Sequence, residues 1–384
     1  GHDAIALTTK RSPGTSQLHE EAKLMKIRTK ILALGIAPVV FTAAAIIGTV
    51  YVQKSGLNEN LSAQFDKQAR DECAKAAKDV YLMVRAQHES LQLKLQSDLN
   101  VASDTMESHG GVSFAEETTS WQAVNQFTKQ PTSINLPKML VGETWLGQNK
   151  DPSTESPVVD EVKGLVGGTC TIFQRMNPAG DMLRVCTNVE KTDGTRAIGT
   201  YIPATNPDGT RNPVIEQVIS GKTYLGRAFV VNDWYQTAYK PITDTSGKVV
   251  GVLYVGLKQE SIKSLRAGIS DIVVGKTGYV YILGGTGNMK GHYLLSKGGL
   301  RDGENIWEAK DAEGNLFIQS VVNKALATKD GECDYQRYPW LNDGESQARM
   351  KIAAVTYFEP WDWVIGAGAY EDDFEGAKQE VAGA

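Results

Sequence analysis

Two sets of cationic and aromatic residues could recognise a ligand. Arg184 and Arg227 bracket segments that carry Trp234, Tyr235 and Tyr239; Tyr279, Tyr281, Lys297, Arg301, Trp340, Arg349 and Lys351 form a comparable second set. A guanidinium offers a planar fork that matches a carboxylate, and aromatic walls exclude the water that would weaken those hydrogen bonds. The ligand-binding candidates are Arg184, Arg227, Trp234, Tyr235, Tyr239, Tyr279, Tyr281, Lys297, Arg301 and Lys351. The same residue types also fill cores and cover surfaces, so each position has an ordinary structural reading beside the functional one.

Signatures of catalysis are sparse. His2, His19, His88, His109 and His292 are scattered, with neither an H-E-x-x-H motif nor paired Cys/His spacing for zinc. No G-x-S-x-G elbow is present. Gly275-Lys276-Thr277 resembles the end of a phosphate loop, but the preceding glycine, Gly268, is two residues too far away and a strand-like run follows. Carboxylates fall mostly in turn pairs such as Asp193-Gly194, Asp208-Gly209 and Asp302-Gly303, where solvated turns explain them. The chain is expected to be no enzyme and to need no metal and no cofactor. Cys170 and Cys186 flank the turn signal Asn177-Pro178-Ala179-Gly180 almost symmetrically, so facing strands could bring them into disulfide range. Two buried thiols are the alternative. Cys73 and Cys333 read as unpaired.

The elements that must position these residues follow from composition and period. The 384 residues are 41% hydrophobic and 22% charged, which fits globular structure and argues against disorder. A net charge of -5 gives no electrostatic case for nucleic acid. Residues 31–52 are uncharged and long enough to cross a hydrocarbon core of about 30 Å as a helix. Lys26, Arg28 and Lys30 precede that run, and Glu59, Asp66 and Asp71 follow it, so the bulk of the chain is expected outside the cell membrane. Residues 1–24 show no periodicity and read as an extension; residues 25–56 read as a cytoplasmic start and transmembrane anchor.

An apolar stripe from Leu57 through Cys73, Val84 and Leu99 to Met106 predicts a long helix, assigned to 57–127, that ends near Gly110-Gly111. Residues 128–157 read as a connector with short helices, because Pro, Ser, Thr, Gly and Asn dominate there. Strands are expected at 169–174, 182–189, 228–231, 234–241 and 249–257, with a short helix at 212–220. A second block starts with a helix at 261–271 and a strand at 278–283, continues with a helix at 316–328, and closes on strands at 331–339, 349–358 and 361–369. Both blocks end on an apolar strand with Val and Gly and then acidic residues, a weak repeat. The expected fold class is α+β: a long helix and two modules of antiparallel sheet flanked by helices, at 128–259 and 260–376, with 377–384 opening a helix toward a further span.

These residues carry a resemblance. Thr169-Cys-Thr-Ile-Phe, Arg184-Val-Cys-Thr-Asn-Val, Gly226-Arg-Ala-Phe-Val, Trp234-Tyr-Gln-Thr-Ala-Tyr-Lys-Pro-Ile and Gly251-Val-Leu-Tyr-Val-Gly resemble the Cache 3 half of a fused Cache 3–Cache 2 sensor region. Gly275-Lys-Thr-Gly-Tyr-Val-Tyr, Gly303-Glu-Asn-Ile-Trp, Met350-Lys-Ile-Ala-Ala and Glu359-Pro-Trp-Asp-Trp-Val-Ile-Gly resemble the Cache 2 half. The likeness covers nearly all of residues 57–376. It implies a PAS-like double sensor, membrane-distal module first, of the kind found in methyl-accepting chemotaxis receptors. Such a region would be periplasmic or extracellular, held in the inner membrane and dimeric through the long helix. It would bind a small metabolite such as an organic acid or amino acid, and signal to a cytoplasmic histidine kinase and adaptor. Thr237 stands where related citrate and dicarboxylate sensor kinases carry Arg, whereas Arg184 fits an earlier basic position of the family. The same region attached to a histidine kinase or a cyclic-dinucleotide enzyme is the alternative; an anchored extracellular enzyme or adhesin is a more distant one.

Overall fold

The computed structural model describes residues 15–258, 263–342 and 344–374; before residue 62 it describes the side chains of 23, 26, 39–54 and 60 alone. Contacts divide the chain into residues 1–68 and 69–384. In the first unit, residues 15–68 are helical, and residues 39–54 are exposed. Among the described residues no helix is long and apolar enough to cross a membrane; of the expected span, side chains 31–38 lie outside the described residues. The expected features at 1–14 and 377–384, and the start of the helix expected at 261–271, also lie outside them.

Helix α1 (Thr15–Ser108) buries Cys73, Ala77, Val80, Val84, Leu95, Leu99, Ala102 and Met106 in the second unit, one stripe at helical spacing. It stops at Ser108, not at 127, because Gly110 and Gly111 take φ of 104° and 68°. The stop is tight: a Cβ on Gly142 would stand 2.3 Å from the carbonyl oxygen of His109.

The next segment corrects the sequence reading. Residues 112–125 form strand β1 (Val112–Asn125), and the expected connector forms β2 (Pro131–Val141) and β3 (Thr144–Trp145). β1 and β2 pair antiparallel, with Trp121 opposite Ile134, and their buried face supplies Trp121, Ala123, Leu136, Met139 and Val141 to the core. The polar positions that suggested a loop are the exposed side of this hairpin.

Helix α2 (Val159–Val166) leads into β4 (Thr169–Arg175), β5 (Met182–Thr187) and β6 (Thr200–Ile202). Helix α3 (Pro213–Ile219) begins at an Asn212 cap whose Oδ1 accepts from the amides of Val214 and Ile215, with Pro213 in the first turn. Then come β7 (Tyr224–Val230), β8 (Asp233–Thr243) and β9 (Val249–Lys258). The resulting nine-stranded sheet has the order β3-β2-β1-β6-β5-β4-β9-β8-β7.

Helix α4 (Lys263–Ser270), β10 (Val273–Val274), β11 (Gly278–Gly284), β12 (Tyr293–Leu295), α5 (Phe317–Leu326), β13 (Asp334–Trp340), β14 (Arg349–Phe358) and β15 (Trp363–Tyr370) complete the chain. Here the order is β10-β11-β15-β14-β13, with β12 also on β11. The run β5-β4-β9-β8-β7 and the run β12-β11-β15-β14-β13 place second, first, fifth, fourth and third strands alike. The weak repeat in the sequence is therefore a repeat of topology.

α1 packs on one face of the first sheet, where Leu95, Leu99 and Met106 meet Ile172, Leu253 and Val255. It reaches the second sheet through Cys73 on the Ile352 carbonyl and through the edge contact of Tyr81 with Phe358, 5.5 Å between centroids. The other faces are covered by the short helices: α3 on the first sheet and α5 on the second. Arg184, Tyr235 and Tyr239 lie on the α3 face and Tyr279, Tyr281 and Lys351 on the α5 face, whereas Arg227 and Trp234 alternate with their neighbours and project from the opposite side of β7 and β8.

Candidate ligand site

The first sheet brings Arg184 and Tyr239 together. Arg184 projects from β5 and is wholly buried, its Cζ 4.8 Å from the centre of the Phe173 ring. Nη1 donates to Thr200 Oγ1, while Nε and Nη2 have no hydrogen-bond partner. Burial pulls this guanidinium down to about 10, against the fields of Tyr239, Tyr254 and Tyr235 that hold it up. A buried cation with two unused donors is costly unless an acceptor reaches it. Tyr239 and Tyr254 lie 4.8 Å apart near this guanidinium, and burial raises both hydroxyls.

Tyr239 of this group also lines a cavity of about 620 Å³, whose wall includes neither Arg184 nor Tyr254. Its wall includes Tyr239, Trp234, Arg227, Phe229 and Phe127 from the first sheet and its hairpin, and Asn288 from the loop after β11. Two solvent-shielded polar atoms on the wall have no partner: Trp234 Nε1, a donor, and Gln126 Oε1, an acceptor. Phe127 and Phe229 stack with centroids 6.0 Å apart, and Phe229 meets Trp234 edge-on at 5.6 Å. An apolar wall with a few convergent polar groups is the ordinary make-up of a small-molecule site. Volume and lining suit a metabolite with an apolar body, an acceptor for Trp234 and a donor for Gln126.

Arg227 is committed to a neighbour. Its guanidinium lies 3.8 Å from the Trp234 ring centre and its Nη1 is 3.4 Å from Asp362 Oδ2, across to the second sheet. Burial lowers its pKa, and Asp362 opposes that shift. Tyr235 sits at the edge of the Tyr239 face, half-buried, its hydroxyl raised by burial and then by Asp233.

The second sheet brings together Tyr279, Tyr281, Lys297 and Lys351, with Lys351 Nζ 3.5 Å from the Tyr279 ring centre. Arg301 stands apart. It forms a bidentate pair with Glu304 at 2.7 Å and faces Tyr293 and Trp340. Arg349 is bound by Asp372 and Asp373 and closes β14 onto the end of β15.

The disulfide is not formed. Cys170 and Cys186 are free, buried thiols. Thr171 pairs with Thr187 and Ile172 with Cys186, so the strands are offset by two residues from the register a bridge needs, and a bulge follows at Ile172/Phe173. Burial pushes the Cys186 thiol up to about 12 and raises Cys170 further, which keeps both unreactive. Gln126, Asn288, Asp362 and Tyr370 carried no signal in the sequence; each sits in a turn or strand end whose partners are distant in the chain. Among the described residues no group of His, Cys, Asp or Glu is placed to hold a metal ion.

The duplicated topology has a counterpart in known sequences: the profile of the Cache 3/Cache 2 fusion domain matches residues 58–383. The chain belongs to that family. Similar sequences include a sensor histidine kinase, MctS of Rhizobium johnstonii, 27% identical over 135 residues, covering 34% of this chain and 28% of MctS. The methyl-accepting chemotaxis protein McpP of Pseudomonas putida is 28% identical over 74 residues, 19% of this chain and 13% of McpP. The chain thus matches less than a third of the length of either relative. The sensory domain of the Campylobacter jejuni chemoreceptor Tlp3 superimposes with a TM-score of 0.42 at 11% identity, covering 83% of this chain and 99% of that domain. This is a Cache sensor region, then, with relatives among chemotaxis and sensor-kinase receptors.

Proposed function

We propose that the chain is the extracytoplasmic ligand-sensing region of a bacterial transmembrane chemoreceptor. Residues 128–259, together with strand β1 before them, act as the membrane-distal module, and residues 260–376 as the membrane-proximal one. The carrying observation is the cavity of about 620 Å³ with unpartnered Trp234 Nε1 and Gln126 Oε1 on its wall and Tyr239, a neighbour of the half-satisfied Arg184, in its lining. The ligand is a small amphipathic metabolite, an organic acid or amino acid, whose carboxylate reaches toward Arg184. Ligand can bias the receptor only by binding one arrangement of the modules better than another. Arg227 and Asn288 put both modules around the cavity, so closure on a ligand displaces the second sheet and, through α1, the membrane-directed helices. Residues 31–52 form the anchor, and α1 provides the dimer contact. The signal passes to a chemotaxis tail or, as in the relative MctS, to a histidine kinase.

Thermal unfolding of the full chain against acetate, succinate, citrate, phenylacetate and the proteinogenic amino acids tests the site. A specific ligand at about a hundred times its Kd adds about 2.7 kcal/mol of stability. Trp234→Ala and Arg184→Met remove that gain. A flat response to every compound withdraws the sensing role. Polarity is tested separately with a reporter fused at Lys378: activity in the cytoplasm excludes the receptor orientation.

A further inference from the structure

The turn Gly275-Lys276-Thr277 lacks the spacing of a phosphate loop, yet it holds an anion: the carboxylate of Asp373. Gly275 takes a left-handed φ of 66° between β10 and β11, and the two amides after it converge on one point. The amides of Lys276 and Thr277 both donate to Asp373 Oδ2, at 3.2 and 2.8 Å. The Thr277 hydroxyl and Arg349 Nη2 each donate to Oδ1 at 2.8 Å. Arg349 Nη1 also donates to Thr277 Oγ1 at 2.9 Å, which closes the ring of contacts. Successive backbone amides beside a guanidinium make a cradle for a carboxylate. Phe374, 8% exposed, covers it: a Cβ on Gly275 would stand 3.4 Å from both Asp373 Oδ2 and Phe374 Cζ.

Asp373 lies in the helical turn 372–374 by which the chain leaves β15. The two residues before it are acidic too, and each is held by a different strand. Glu371 accepts from Arg337 of β13 at 2.7 Å, and Asp372 accepts from Arg349 of β14 at 2.7 Å. Those two side chains are 31% and 48% exposed, against 4% for Asp373. Exposed pairs contribute little, whereas parting a buried charge from its partners costs far more. Asp373 therefore decides where the chain departs. Its hold lies outside the strand ladder, because β15 pairs with β14 only as far as Tyr370 opposite Lys351 and with β11 as far as Gly368 opposite Tyr279. The carboxylate can leave without breaking the sheet.

We infer that this turn is a latch: an anion nest whose occupant is Asp373, fixing the exit of the chain from the second sheet until that carboxylate is displaced. With Asp373 in place, residues 371–374 are held against β14 and the β10–β11 turn. With it out, the nest accepts a free carboxylate and the exit is released, while β11, β15 and β14 stay paired. The device uses no residue of the first-sheet cavity, so it stands or falls apart from the sensing role.

Hydrogen exchange of the full chain, followed at the amides of Lys276 and Thr277, tests the latch. In Asp373→Ala these two amides exchange about tenfold or more faster. Residues 371–374 follow, while the amides of β11, β14 and β15 keep their protection. Sodium formate restores protection at Lys276 and Thr277 of the variant in a saturable way, and sodium chloride at equal ionic strength does not. The parent chain shows no such response, because its nest is full. Asp373→Asn keeps the size and loses the charge, so it gives a smaller change of the same sign should the alanine variant fail to fold. Asp372→Asn leaves both amides protected. Three results overturn the latch: unchanged exchange at Lys276 and Thr277 in both Asp373 variants, loss of β15 protection together with that of the turn, or no response of Asp373→Ala to formate.

Discussion

Arg227 Nη1 meets Asp362 Oδ2 at 3.4 Å, and the pair ties β7 of the first sheet to the turn between β14 and β15 of the second. Both side chains are largely out of water, 14% and 8% exposed. Asp362 is held from its own side as well: Oδ1 accepts from Tyr357 and Thr286, each at 3.0 Å. Arg227 cannot be removed without leaving this carboxylate short of its counter-charge. Arg227→Met is expected to cost about 3 kcal/mol. Asp362→Asn isolates the charge, because Asn tolerates the left-handed φ of 57° that this position takes. The double variant should recover part of the loss, a coupling of about 1–3 kcal/mol in urea unfolding. Strict additivity would mean that the modules are joined elsewhere.

Arg184 makes the opposite forecast. It is buried with one hydrogen bond, and Nε and Nη2 are idle. Replacing a poorly satisfied buried charge by an apolar side chain of similar length is often stabilising by about 1–4 kcal/mol. Arg184→Met should therefore raise the melting temperature of the ligand-free chain while abolishing any gain from a ligand that needs the guanidinium. A destabilised variant would show that Arg184 serves the fold, and the anion-anchor role would fall with it.

Much of this architecture was legible because it rests on local signals. The β14 strand follows from the apolar run Ile352–Val355 ahead of the Glu359-Pro360 turn, and α3 from Asn212-Pro213 before a stripe that ends near Gly221. The β1–β2 hairpin was not. Its strands are polar on one side and carry Pro131 and Pro137, so composition mimics a loop, and only pairing across the turn makes them a sheet. The site was readable in part for the same reason. Arg184, Trp234, Tyr239 and Lys351 stand out by residue type on strands, whereas Gln126 and Asn288 join the cavity through chain reversals that residue types do not encode. The proposed bridge between Cys170 and Cys186 failed on register, which a two-residue offset decides.

His88 should make stability depend on pH. Trp361 Nε1 can only donate, and it lies 3.0 Å from His88 Nδ1, so that nitrogen must be unprotonated. Nε2 then carries the hydrogen, so the Gln92 side-chain amide, whose Nε2 stands 2.9 Å from it, must turn its oxygen toward the ring to accept. Burial lowers the His88 pKa and outweighs neighbouring Glu89, which raises it; Phe358 and Trp361 supply the apolar wall. The unfolded chain thus binds the proton more readily than the native one. This contribution is complete above about pH 6.5 and is lost as pH falls from there toward the folded value. His88→Gln keeps an acceptor for Trp361 and removes the titration, so its melting temperature should fall less than that of the parent between about pH 7.5 and 5.5. Equal slopes in the two proteins would exclude His88 as the source.

Two glycines that look alike in sequence should respond in opposite ways to alanine. Gly278 opens β11 between backbone on both sides. A Cβ there would stand 2.2 Å from the Gly368 carbonyl oxygen, 2.4 Å from that of Val274 and 2.8 Å from the Ala369 Cα. Main chain cannot yield as a side chain can, so Gly278→Ala must part β11 from β15 or from β10. The cost should exceed about 3 kcal/mol, well beyond the usual range for a surface change. Gly164 lies inside α2 with nothing within 4 Å of its would-be Cβ. Alanine there gains helix propensity alone, and Gly164→Ala should stabilise by about 0.5–1 kcal/mol. Chemical denaturation of the two variants measures both signs. A mild effect at Gly278 would require the β10–β11–β15 pairing to be looser than its register indicates.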